Sequence, residues 1–178
     1  MFWKRKKDKP GKYRCSECGE IHKNWPALTY NSPTPYFALT ESEKETIGEL
    51  TSDFCIIEYE GQTDRFIRVV LRLKVNDYHD TLEYGLWVSL SEKSFKDYYE
   101  NFESNNHEVS YFGWLSNYLP DYDNSQSVPM TVFTKEGNDR PEIAPHEDFD
   151  HQLVTDYYHG ISKKEAEKRI HDMLKNVG

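Results

Sequence analysis

Arg65-Phe66-Ile67-Arg68-Val69-Val70-Leu71-Arg72-Leu73-Lys74-Val75 decides the fold class. Its β-branched and aromatic residues suit a pleated chain, and its length fits one long strand. Arg68, Arg72 and Lys74 share a parity, which predicts one wet face and one buried face. The polar loop Asn76-Asp77-Tyr78-His79-Asp80 leads into a second strand from Leu82 to Leu90. A connection that short favours antiparallel pairing. Further strands are read at Phe54 to Glu60, Tyr111 to Tyr118 and Val128 to Thr134. Ile143 falls in a short edge strand, limited by Pro141 and Pro145.

Helices fill the space around these strands. Thr40 as N-cap and Glu43 as its reciprocal partner make a capping box that opens a helix to about Leu50. Ser91 caps a second helix to about Phe102, in which Phe95, Tyr98, Tyr99 and Phe102 form a core-facing stripe. A helix from about Asp150 to Tyr158 ends at Gly160, a C′ residue. Ser162 and Glu165 cap the last helix, which turns Ala166, Ile170 and Leu174 inward as far as about Asn176. The fold class is therefore α+β, with a mostly antiparallel sheet, flanking helices and an N-terminal Cys-x-x-Cys knuckle. Residues 1–12 are a flexible basic arm, and 13–178 form one domain with the knuckle at 13–25.

The knuckle is Cys15-Ser16-Glu17-Cys18-Gly19-Glu20-Ile21-His22. Two thiols and an imidazole in one tight turn suit a tetrahedral zinc ion, and Gly19 allows the positive φ of such a turn. Cys55 is the remaining thiol and the candidate for completing a structural Cys₃His site. It fits equally as a small buried hydrophobe. A redox pair is the weaker alternative, because Glu17 between the sulfurs opposes thiolate formation.

Composition narrows the function classes. The chain has 178 residues, a net charge of −9, and aromatics at 15% that supply core area where overall hydrophobicity is low. Residues 1–14 hold seven Lys or Arg against one Asp, so the rest of the chain is strongly acidic. An acidic body repels phosphate backbones, which argues against nucleic acid and for a basic protein partner or a small molecule. An odd number of cysteines, two of them at metal-type spacing, points to a reducing cytoplasm. No apolar run reaches the length of a membrane helix, and no membrane partner is expected.

Two segments resemble the signature of a bacterial family, domain of unknown function 2199. They are Gly85-Leu86-Trp87-Val88-Ser89-Leu90-Ser91 with Ser94-Phe95, and Tyr111-Phe112-Gly113-Trp114-Leu115-Ser116-Asn117 with Pro120. The resemblance extends to Cys15, Cys18, His22, Ser52-Asp53 with Cys55, His151 and Gly160-Ile161-Ser162. It implies membership in an uncharacterised family and carries no activity. The chain departs from the pattern in its basic first twelve residues and at Gln152, where a proline is usual after the histidine.

Candidate sites lie in three places. The knuckle holds the metal candidates Cys15, Cys18, His22 and Cys55. Trp87, Ser89 and Ser91 share one strand face, and Trp114, Ser116 and Tyr118 share another. With Tyr111 and Asn117 they outline a ligand groove, for which turn, cap and core roles are the plainer reading. His146-Glu147-Asp148-Phe149-Asp150-His151 is the third, where carboxylates beside imidazoles suit metal or acid–base work. Its spacing is wrong for a zincin helix, and a loop with Asp148 or Asp150 as N-cap accounts for it as well. There is no Gly-x-Ser-x-Gly elbow and no phosphate-binding glycine loop. The expectation is a non-catalytic binding protein with a structural zinc knuckle. A metal-dependent or hydrolytic enzyme and an immunity-type inhibitor of a basic toxin are the alternatives.

Overall fold

The computed structural model describes residues 12–14 and 19–176. In chain order the elements are β1 (Lys12–Arg14), β2 (Ile21–Lys23), β3 (Leu28–Thr29), α1 (Thr34–Phe37), α2 (Glu41–Ile47), β4 (Gly48–Leu50), β5 (Phe54–Tyr59), β6 (Gln62–Lys74) and β7 (Thr81–Ser89). They continue with α3 (Glu92–Glu100), β8 (Ser110–Leu115), β9 (Pro129–Phe133), β10 (Glu142–Pro145), α4 (Gln152–His159) and α5 (Lys163–Asn176).

The paired strands β6 and β7 are the spine. They run antiparallel from Phe66 opposite Ser89 to Lys74 opposite Thr81. Each changes partner halfway along its other edge. The first half of β6 pairs with β5, and Val70 then meets Glu142 of β10 in parallel. The start of β7 pairs in parallel with β3, and its end pairs antiparallel with β8. β8, β9 and β10 form an antiparallel meander. The ring β6-β7-β8-β9-β10 therefore closes into a five-stranded barrel, from which β5 and β4 extend as a flap. Closure satisfies strand edges that would otherwise stay open.

Alternation fills the barrel. Ile67, Val69, Leu71, Leu73 and Val75 from β6 and its end meet Leu82, Tyr84, Leu86, Val88 and Leu90 from β7, all buried. Met130, Val132 and Ile143 complete the interior. The opposite face of the spine carries a smaller core of Cys55, Ile57, Phe66 and Trp87, covered by Tyr36, Leu39, Ile47 and Leu50 of the α1–β4 segment. The capping box at Thr40 and Glu43 is present on α2 as expected. At the far end, Gly160 has φ +83 and turns the chain so that the Ile161 N–H donates to the Lys74 carbonyl at 2.9 Å. Asn76 N–H then donates to the Ile161 carbonyl, also at 2.9 Å, which docks the last two helices on the spine.

Six expectations change, the first being that the helix read to about Leu50 ends at Ile47, with Gly48–Leu50 forming β4 against β5. Ile143 is not in an edge strand, since β10 is bonded to β9 on one side and β6 on the other. Arg68 is only 7% exposed, although its parity predicted a wet position. Tyr99 of the α3 stripe is exposed while Phe95 and Tyr98 are buried. Leu174 faces outward, and Met173 packs on the core in its place. The N-cap of α4 is His151, whose Nδ1 accepts from the Leu153 N–H at 3.1 Å, rather than Asp148 or Asp150.

Candidate functional site

Trp87 and Asn117 form a structural joint. The Asn117 side-chain carbonyl accepts from the Trp87 N–H at 2.8 Å, and its amide donates to the Ser32 carbonyl at 2.9 Å. The Trp87 indole donates to the Tyr30 carbonyl at 2.9 Å. Both side chains are buried, and together they fasten the N-terminal segment across β7 and β8. Ser116 is buried as well, its hydroxyl donating to the Trp114 carbonyl.

Ser89 and Trp114 do meet at a solvent-facing cleft. They lie opposite one another across β7 and β8. With Arg65, Ser91, Ser94 and Phe112 they line a cleft of about 360 Å³. Phe112 and Trp114 are 48% and 47% exposed, and their rings meet edge-to-face at 5.1 Å. Gly113 between them permits this geometry. A Cβ there would lie 2.9 Å from the Ser89 carbonyl oxygen and 3.3 Å from Val88 Cβ, so only glycine lets β8 approach β7 this closely. His146 stands edge-on to Phe112 at 5.5 Å and extends the aromatic surface. Two half-exposed rings beside hydroxyls and a guanidinium provide apolar contact together with hydrogen-bonding groups, as binding sites do.

Tyr111 points to the other side of β8. Its hydroxyl donates to Asp97 of α3 at 2.6 Å, and the His107 Nε2 lies 2.8 Å from the same carboxylate oxygen. These hydrogen bonds, Tyr111 first, hold the Asp97 carboxyl below its usual value. Burial and then the Asp97 carboxylate push the Tyr111 hydroxyl up. Sequence spacing gave no hint of this trio, because it joins a helix, a loop and a strand.

The two histidines of the third cluster have separate tasks. His146 Nε2 lies 3.2 Å from the Thr131 hydroxyl, and His151 caps α4 while its Nε2 lies 2.6 Å from the Asp123 carbonyl. Nearby, α4 and α5 share a buried network that the sequence reading missed. Arg169 donates to the Tyr122 hydroxyl at 2.6 Å, to Glu165 at 2.8 Å and to Asp156 at 3.2 Å. Tyr122 donates to Asp156 at 2.7 Å, and Gln152 donates to the same carboxylate at 2.7 Å. A network this well satisfied holds helices in place. Its one visible sequence signal is the i,i+4 spacing of Gln152 with Asp156 and of Glu165 with Arg169.

Cys15 and Cys18 lie outside the described residues, as does the His22 side chain. β1 and β2 form an antiparallel pair, Arg14 opposite Ile21, and Gly19 has φ +73. Cys55 is fully buried among Ile57, Phe66 and Trp87, and burial pushes its thiol up to about 12. Among the described residues no three Cys, His, Asp or Glu side chains are grouped to hold a metal. No helix among them is long and apolar enough to cross a membrane.

The sequence model of a family described as "Uncharacterized protein conserved in bacteria (DUF2199)" matches residues 14–161, and the chain belongs to that family. No curated protein and no solved structure matches it.

Proposed function

We propose that this DUF2199 protein is a non-catalytic binding protein whose working surface is the cleft at Phe112 and Trp114. The observation that carries this reading is the pair of half-exposed rings, held edge-to-face in a fold that buries Trp87 and Tyr84 completely or nearly so. Exposed aromatics with a structural reason to stay exposed mark contact sites. The ligand presents an apolar face to the two rings and hydrogen-bonding groups to Ser89, Ser91 and Arg65.

An enzyme at the His146–His151 segment is less well supported, since both imidazoles already hold structural contacts. The test is a library of small molecules and short peptides, titrated against the protein and its Trp114→Ala variant. Ligands that bind the parent and lose affinity in a variant of unchanged thermal stability support the reading. Turnover of a hydrolase substrate by the parent contradicts it.

Zinc belongs to the same proposal as an ion held by Cys15, Cys18 and His22, with its fourth position filled by another donor. The antiparallel frame of β1 and β2 and the positive φ of Gly19 support it. Cys55 fits packing better than ligation, because apolar groups surround its thiol.

A further inference from the structure

A second concave surface lies on the other side of α3. Ser91 and Ser94, at the start of that helix, line the Phe112–Trp114 cleft, while its later turns line a groove of about 540 Å³ against β4 and β5. The floor is aromatic. The Phe54 ring lies 5.0 Å from both Tyr99 and Phe102, and Tyr99 is 59% exposed. The rim is acidic, with Glu49, Glu100 and Glu103. Glu100 has Lys96 at 3.9 Å, whereas Glu49 and Glu103 have no cationic partner among the described residues. β4 is also the last strand of its sheet.

We propose that this groove holds a lysine- or arginine-rich segment of another protein. Ring faces attract cations through their quadrupole, and the attraction strengthens when the cation leaves water. Carboxylates around the rings add long-range steering, and the chain's net charge of −9 acts in the same direction. An acidic or neutral apolar segment would leave Glu49 and Glu103 uncompensated at the contact. Charge complementarity therefore selects a basic partner. The groove is separate from the Phe112–Trp114 cleft, so each surface is tested without the other.

The experiment titrates the full chain with a short fluorescent peptide of alternating lysine and leucine, followed by anisotropy at near-physiological salt. The expected result is saturable binding that weakens about tenfold in Glu49→Lys with Glu103→Lys, and comparably in Tyr99→Ala. The exposed control Glu60→Lys should bind as the parent does. No binding, equal binding of a glutamate–leucine peptide, or equal loss in Glu60→Lys would overturn the proposal. A parent dimer that dissociates in Tyr99→Ala would also overturn it, by assigning the groove to a second copy of the chain.

Discussion

The guanidinium of Arg68 sits over the indole of Trp87, its carbon 5.3 Å from the ring centroid. Arg68 is 7% exposed, and among the described residues its Nε meets no hydrogen-bond acceptor. Burial, with repulsion from Arg140 against the attraction of Asp53, disfavours its charged form. A buried cation to which no carboxylate is bonded among the described residues costs stability that stacking on the indole only partly offsets. Arg68→Met keeps the length and removes the charge. Urea unfolding should show stability unchanged or raised by about 1 kcal/mol. A loss of more than about 2 kcal/mol would mean that the charge has a partner in the folded protein.

Gly113 sets the approach of β8 to β7. Gly113→Ala places a methyl 2.9 Å from a backbone carbonyl oxygen that has no freedom to move aside. The expected loss is about 1–3 kcal/mol, with Phe112 and Trp114 displaced from their edge-to-face contact. Thermal unfolding reads the first effect and Trp fluorescence the second. A variant as stable as the parent would show that the two strands tolerate a wider gap.

Asp97 gives the fold an acid-sensitive contact. Its carboxyl is depressed by hydrogen bonds from Tyr111 and His107, with smaller help from the charges of His107 and Lys93. A carboxyl depressed in the folded state contributes stability above its unfolded pKa, and that contribution is lost as pH falls through the folded value. Stability should therefore decline as pH drops below about 4, and Asp97→Asn should decline less over the same window. Identical acid limbs for the two proteins would remove Asp97 from this role.

Metal content tests the knuckle. Protein purified without added metal should carry about one zinc per chain by elemental mass spectrometry. Cys18→Ser should lose the ion together with thermal stability, and Cys55→Ala should retain it. Zinc lost equally in Cys55→Ala would restore Cys55 as a ligand.

Local rules reached much of the fold. The spine strands, their antiparallel pairing, the caps at Thr40 and Ser91 and the turn at Gly160 follow from periodicity and turn chemistry. Long-range pairing did not follow. Flanking prolines made Ile143 look like an edge, yet the Pro141 carbonyl accepts from the Val70 N–H at 2.8 Å and closes the barrel. Strand parity assigned Arg68 to water because it cannot register a second core packed on the outer face by α1 and α2. At the site, Ser89 and Trp114 were legible as neighbours. Tyr111 was not separable from them, because its partner Asp97 arrives from another element. Phe112 was missed, since alternation alone does not distinguish an exposed ring from a buried one.

The most direct test labels the four tryptophans with 5-fluorotryptophan and follows their ¹⁹F resonances as the ligand library is titrated. The account predicts that ligands shift the Trp114 resonance and leave that of buried Trp87 in place. Ligands that bind tightly while Trp114 stays unmoved would contradict the assignment of the cleft as the working surface.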